Sequence, residues 1–276
     1  MDTKIVAIYA IVSDFLTAMR HYEDPQCQMS DAEVLTTAIV ATLFFGANFE
    51  SARSHLNDPR YIPSMLSKSR FNRRLHRVKP MLLLLFSTIG EQWKSLNENS
   101  IYAIDTFPIP ACDNYRIKRS RLYKDEAFRG YTASKKRYFY GLKLHLMVTE
   151  QGEPVEFFLT AGSDSDVGCL DLFDFDVPTG SEIYADRIYN NYLLEDILDE
   201  AGIHFKPLRK SNSKRKREYW EERWIHLHRK VIETTGSLIT QLLPKKIHAV
   251  TSVGFELKVC LFVLAISFQG LLKVAT

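Results

Sequence analysis

Ser100-Ile-Tyr-Ala-Ile-Asp-Thr-Phe107 is a short run of β-branched and aromatic residues that holds one carboxylate, Asp105, among apolar neighbours and stops at Pro108 and Pro110. Such residues fit a half-buried pleated surface, so the run reads as a strand. Downstream, Arg137–Thr149 alternates with period two. Phe139, Gly141, Lys143, His145 and Met147 fall on one face, and Tyr140, Leu142, Leu144, Leu146 and Val148 on the other. Residues 154–160 form a third strand, and the turn residues Gln151-Gly-Glu-Pro154 predict an antiparallel hairpin between the last two. Beyond it the pattern predicts a helix over 167–175, a strand over Glu182–Ala185, a helix over 192–201 and a strand over 204–208. A long helix over 219–243 and an apolar helix over 253–273 follow. The order β-β-β-α-β-α-β-α predicts a mixed α/β sheet.

Upstream, residues 1–95 read as an all-helical domain, and 96–276 as a separate α/β one. Residues 5–20 have helical apolar spacing. Ser30-Asp-Ala-Glu33 has the form of a capping box, which predicts a helix from there to about Ala47. Residues 67–78 place Arg70, Arg73, Arg74 and Arg77 along one side of a helix. Pro80 breaks or kinks the chain before the apolar run 81–89. Several short helices, one arginine-faced, suit either a helix-turn-helix reader of DNA or a bundle with exposed arginines.

With 46% hydrophobic and 25% charged residues, the chain is globular in composition, which excludes a disordered, collagen-like or coiled-coil protein. Its four cysteines are scattered without a CxxC pair, so neither a disulfide framework nor a cysteine zinc site is expected, and a cytoplasmic setting fits. Residues 34–49 and 259–272 are uncharged, but both are shorter than the ~20 residues of a span and read as core helices rather than membrane segments. The N-terminus lacks the features of a signal peptide.

The net charge of +3 hides a sorting of charges along the chain. Residues 115–137 carry nine basic and two acidic side chains, residues 138–204 carry two and fourteen, and residues 206–230 carry ten and three. Two cationic blocks around an acidic one suit a polyanion handled by metal ions, such as nucleic acid. The candidate phosphate-gripping residues are Arg73, Arg74 and Arg77; Arg116, Lys118, Arg119, Arg121, Lys135, Lys136 and Arg137; and Arg209, Lys210, Lys214, Arg215, Lys216 and Arg217.

A charge such as Asp105 inside an apolar strand needs a partner or a metal. Asp186 holds a similar place after the strand 182–185, so on neighbouring strands the two carboxylates converge in the way a hard divalent cation requires. Glu233 is the best third acid. Periodicity of the long helix puts Trp224, Ile225, Val231, Ile232, Leu238, Ile239 and Leu242 on an apolar stripe, with Glu222, His226, Arg229, Glu233 and Thr240 on the opposite, solvent-facing side. Asp166 is expected to cap the helix after it, and His145 to be a packed histidine.

Three segments resemble bacterial insertion-sequence transposases of the DDE type. Ile104-Asp-Thr-Phe-Pro-Ile-Pro110 with Cys112-Asp-Asn114 is similar to their first catalytic segment, as is Arg129-Gly-Tyr131 followed by Ser134-Lys-Lys-Arg-Tyr-Phe-Tyr-Gly-Leu-Lys-Leu-His145. Tyr184-Ala-Asp-Arg-Ile-Tyr-Asn190 resembles the second segment, and His228-Arg-Lys-Val-Ile-Glu-Thr-Thr235 the third. The likeness covers about 100–267. His226 stands where many relatives have tyrosine, Thr240 where a lysine is common, and Arg187-Ile188 where a lysine and a small residue are common.

The resemblance implies a ribonuclease-H-like fold and a catalytic, metal-binding triad of Asp105, Asp186 and Glu233, with Arg229 and His226 in support. It further implies two Mg²⁺ ions (Mn²⁺ able to substitute), DNA as partner, a homodimer at synapsis, and a nucleoid-associated location in a bacterial cytoplasm. The activity it implies is DNA cleavage and strand transfer. A nuclease of the same fold without strand transfer, an inactive DNA-binding descendant and a general polyanion-binding module are the alternatives.

Overall fold

The computed structural model describes all residues except 113, 133–135, 244–246, 248 and 275–276; of Arg116 and Val274 the backbone alone is described. The chain divides into two compact units: Met1–Thr88 with Ile239–Ala249 and Val253–Thr276, and Ile89–Leu238 with Val250–Ser252.

The first unit contains α1 (Asp2–Ala18), α2 (Asp31–Phe44), α3 (Phe49–Leu56), α4 (Lys68–Arg77) and the start of α5 (Lys79–Leu96). The capping box forms: Ser30 Oγ accepts from Glu33 N at 3.1 Å, and Ser30 N donates to Glu33 Oε2 at 2.6 Å. The chain leaves α2 through Gly46 and Ala47, both with positive φ, so the helix ends earlier than the apolar pattern implies and α3 starts afresh on an Asn48 cap. Pro80 is accommodated in the first turn of α5, where its missing N–H costs nothing.

The last helix, α8 (Ser252–Val274), belongs almost wholly to this unit rather than to the catalytic part in which the sequence places it. Its residues Phe255, Val259, Leu261, Phe262, Val263, Leu264 and Phe268 are fully buried, so it is covered on nearly all sides. Lys258 Nζ lies 5.1 Å from the Phe49 ring centre of α3. Over Ser252–Lys273 the helix is long and apolar enough to cross a membrane, and 72% of its most apolar window is buried within the structure.

One arginine of α4 is structural. Arg70, Arg73 and Arg77 are exposed, but Arg74 turns inward. Its Nε donates to Asp31 Oδ1 at 2.6 Å, its other nitrogens reach Glu23 and Cys27, and His21 Nε2 meets Asp31 Oδ2 at 2.8 Å. Asp31 is buried, so removing its cation leaves an uncompensated charge. Arg74→Ala is therefore expected to cost about 3 kcal/mol or more, whereas Arg73→Ala stays within ~0.5 kcal/mol; urea unfolding of both variants distinguishes them.

The second unit is built on a six-stranded mixed sheet: β1 (Ile101–Cys112), β2 (Arg129–Thr132), β3 (Arg137–Thr149), β4 (Pro154–Ala161), β5 (Glu182–Ala185) and β6 (His204–Pro207). Its order is β2-β3-β1-β5-β6, with β4 also paired to β3. β1, β2 and β4 run antiparallel to β3, while β5 lies parallel to both β1 and β6. Helix α6 (Tyr192–Glu200) connects β5 to β6, and α7 (Tyr219–Leu242) follows. The mixed α/β sheet is thus as expected, with β2 added.

Two local readings are corrected. Pro108 and Pro110 do not end β1, because β5 pairs with it only as far as Ala103; beyond that point β1 has a free edge, where a missing N–H breaks no ladder. Residues 167–175 hold only a single 3₁₀ turn, Leu170–Leu172, in place of the expected helix. The burial there has period two, with Phe173 and Phe175 inward and Asp174 and Asp176 outward, and Phe175 has φ of 50°. With no helix to cap, Asp166 instead receives Lys143 Nζ at 2.8 Å.

Candidate active site

β1 and β5 are hydrogen-bonded in register from Ile101↔Glu182 to Ala103↔Tyr184, and the carboxylates follow just past the end of that ladder. Asp105 lies two residues further along β1, and Asp186 directly follows β5, opening the 3₁₀ turn Arg187–Tyr189. The third acid comes from α7. That helix packs closely: a Cβ on Gly236 would stand 2.0 Å from a Phe107 ring carbon, so only glycine admits the β1 side chain there. One turn before Gly236 is Glu233, and a further turn back is Arg229.

The inward stripe of α7 is Ile225, Arg229, Ile232, Thr235, Gly236 and Ile239. Trp224 and Leu238, read as core from the sequence, are exposed, and Arg229, read as solvent-facing, is buried. The helical spacing explains the exchange: Arg229 follows Ile225 by four and precedes Ile232 by three, so it sits within the stripe despite its charge. Trp224 keeps a polar contact, donating Nε1 to Tyr184 Oη at 2.9 Å.

Arg229 is where the acids meet. Its Nη2 lies 3.6 Å from Asp105 Oδ2, and its Nη1 lies 3.6 Å from Asp186 Oδ1 and 3.9 Å from Glu233 Oε1. These are ion-pair distances rather than hydrogen bonds. The buried Nε of Arg229 has no hydrogen-bond partner among the described residues. The site opens to solvent in steps, with side-chain exposures of 22% for Asp105, 45% for Asp186 and 60% for Glu233. Burial pushes the Asp105 carboxyl up to about 6, its own backbone bond from Thr106 N and the Arg229 charge oppose that, and Asp186 and Glu233 add to it.

The donor chemistry fits a hard divalent cation: three carboxylates share one locus, oxygen is the only ligand type, and the most buried acid is one whose negative charge is poorly compensated. Among the described residues no three His, Cys, Asp or Glu side chains form a ready metal cage. Arg229 takes the position between the acids.

Behind Asp105 lies a chain of hydroxyl and imidazole groups whose linkage the sequence did not reveal. Tyr189, almost fully buried, places its hydroxyl 2.6 Å from Thr106 Oγ1. Thr106 Oγ1 is 3.0 Å from His145 Nδ1, and His145 Nε2 is 2.9 Å from Thr160 Oγ1. His145 is packed as expected, stacked at 4.5 Å on Phe158, and burial lowers its pKa to about 4, so it is neutral at pH 7. The available signal was the occurrence of polar residues at Thr106 and His145 inside otherwise apolar strands.

His226 is exposed on α7; at the neighbouring level His228 packs, 4.6 Å from Trp224 and 5.3 Å from Tyr184 by ring centres, with Nδ1 3.5 Å from Glu150.

The cationic residues divide into two groups. Lys118, Arg119, Arg121, Lys136 and Arg137 of the first block are exposed, as are Lys210, Lys214 and Lys216 of the second. Arg209, Arg215 and Arg217 have internal work. Arg209 is buried and donates to both Glu195 oxygens at 2.6 Å; Arg215 donates to Asp196 at 2.6 and 2.8 Å; and Arg217 is partly buried near the Pro207 carbonyl. Lys135 and the Arg116 side chain lie outside the described residues.

Acids at adjoining strand ends of a mixed sheet, joined by an acid and an arginine from a packed helix, describe a nuclease-like α/β domain. Sequence comparison makes the class specific: residues 95–250 match the family described as Transposase DDE domain. The chain belongs to this family of transposases, enzymes that act on DNA. No curated protein and no solved structure matches it.

Proposed function

We propose that the chain is an insertion-sequence transposase that cuts DNA strands and joins the freed 3′ ends to target DNA. The convergence of Asp105, Asp186 and Glu233 on Arg229 is the observation that carries this reading. The sheet is read as ribonuclease-H-like, supported, apart from the added β2, by the three antiparallel strands β1, β3 and β4 followed by the parallel β5 and β6 joined through α6.

Asp105, Asp186 and Glu233 would hold two Mg²⁺ ions, with Mn²⁺ able to substitute. When bound, such ions lower the pKa of a water and stabilise the leaving 3′ oxygen. Burial raises the Asp105 carboxyl to about 6, so the ionised form that a cation needs prevails only above that pH. Arg229, whose Nη1 and Nη2 stand among the three acids, would bring its positive charge to an oxygen of the scissile phosphate. The exposed cations of 118–137, with Arg73 and Arg77 of α4, hold the backbone away from the chemistry, which predicts salt-sensitive binding. Function as a homodimer in the cytoplasm, with α8 as a core helix and no membrane association, completes the proposal.

The test uses duplexes made from DNA flanking the reading frame, incubated with the full chain, Mg²⁺ and a plasmid target. Nicks that leave 3′-OH ends, followed by joined products, are expected. Hydrolysis without joining would replace this reading with that of a nuclease. Binding without cleavage in any divalent ion would leave a DNA-binding descendant.

A further inference from the structure

The β1–β5 ladder ends at Ala103↔Tyr184, so no backbone bond between these strands reaches the level of the two aspartates. On the far side, β5 stays tied to β6: Leu208 N donates to Ala185 O at 3.0 Å, and Asn190 Nδ2 donates to Leu208 O at 2.7 Å. The turn after Asp186 is closed on itself by Tyr189 N, which donates to Asp186 O at 3.0 Å. Asp186 is thus fixed to β6, whereas Asp105 is fixed to β3 through Asp105↔Leu146. The Arg229 ion pairs span the gap, but at 3.6 Å and to carboxylates whose charge changes with their occupant.

One short, uncharged link crosses it. The Tyr189 hydroxyl meets Thr106 Oγ1 at 2.6 Å, joining the residue after Asp105 to the turn that carries Asp186. Neighbouring side chains on a strand point to opposite faces, so this bond lies behind the Asp105 carboxylate and leaves the front of the site open. It is anchored in turn: Thr106 to His145 of β3, and His145 to Thr160 of β4, with the imidazole stacked on Phe158.

We propose that the Thr106–Tyr189 hydroxyl bond is a clasp that sets the spacing of Asp105 and Asp186 for divalent-cation binding, with Tyr189 and Thr106 acting as positioning residues. The inference rests on the triad reading given above. Two carboxylates held at a set separation bind an ion without ordering themselves first, and groups that orient ligands from behind commonly change metal affinity by ~10–100-fold when removed.

The experiment is Mn²⁺ titration of the full chain without DNA, followed by loss of the free-ion electron paramagnetic resonance signal, alongside thermal unfolding in EDTA. Tyr189→Phe and Thr106→Val are each expected to weaken Mn²⁺ binding ~10-fold. The double variant should be no weaker than Thr106→Val alone, because that substitution already removes the bond that Tyr189→Phe deletes. Thr106→Ser, which keeps the hydroxyl, should bind as the parent chain does. Lowered melting temperatures with unchanged Mn²⁺ affinity would overturn the clasp and leave a packing role; so would weakening in the double variant that equals the product of the singles. If Tyr189→Phe does not fold, the Val and Ser variants at Thr106, which leave the ring in place, decide the question. Asp105→Asn separates the two levels: unchanged Mn²⁺ binding in that variant would overturn the triad and the clasp with it, whereas lost binding there with unaltered binding in Tyr189→Phe would overturn the clasp alone.

Discussion

Asp105→Asn is expected to abolish DNA cleavage while making the metal-free protein more stable at neutral pH. Burial raises the Asp105 pKa to about 6, against an ordinary value near 4 in the unfolded chain. Between those values the folded state binds the proton more tightly, so stability falls as pH rises through that window. At ~1.4 kcal/mol per pH unit the accumulated cost above pH 6 is about 3 kcal/mol. Asparagine carries no charge and escapes it. In EDTA the variant should therefore unfold at higher urea than the parent at pH 7.5, and the advantage should vanish at pH 4. If the triad binds divalent ions as proposed, they should reverse the order, since they stabilise the chain that keeps the carboxylate. Cleavage should fall by at least ~10²–10³-fold, the usual cost of losing one centrally placed electrostatic group. A parent chain whose EDTA stability is flat from pH 4 to 7 would remove the basis for this expectation.

The acids at strand ends were legible because a lone carboxylate in an apolar run contradicts its surroundings. Asp105 and Asp186 both carry that contradiction, and the helix cap at Ser30 and the alternation of β3 are equally local signals. What stayed hidden depends on tertiary partners. Arg229 is buried because three carboxylates meet it, and a hydropathy stripe counts any arginine as outward. The same error appears at Arg74 and Arg209, read as DNA contacts but engaged by Asp31 and Glu195. β2 is four residues long with a glycine in it, and it is a strand because β3 offers it an edge. The grouping of α8 with the N-terminal helices is a long-range fact with no local signature. Tyr189 could be placed near Asp186 by sequence, but its bond to a residue 83 positions away could not.

Removing Arg229 gives the second large effect, and it tests how the site is balanced before any cation enters. Arg229→Met keeps much of the side-chain bulk and deletes the charge. Asp105, Asp186 and Glu233 then face one another without a counter-charge, and the Asp105 carboxyl, already raised, is driven further up. Stability in EDTA at pH 7.5 should drop by about 3 kcal/mol or more, as when one member of a buried ion pair is removed. The deficit should shrink toward pH 5, where Asp105 takes up a proton. It should also shrink on adding Mn²⁺, which supplies the missing positive charge. Arg229→Lys should fall between the two, because one compact ammonium cannot reach three carboxylates that the forked guanidinium spans. Stability recovered by Mn²⁺ without recovery of cleavage would separate the two tasks proposed for the arginine: neutralising the acids, which a cation can do in its place, and binding the phosphate, which would need the guanidinium itself. A Met variant with parental stability in EDTA across pH 5 to 7.5 would mean the acids never depended on Arg229, and that their convergence on it has no energetic consequence.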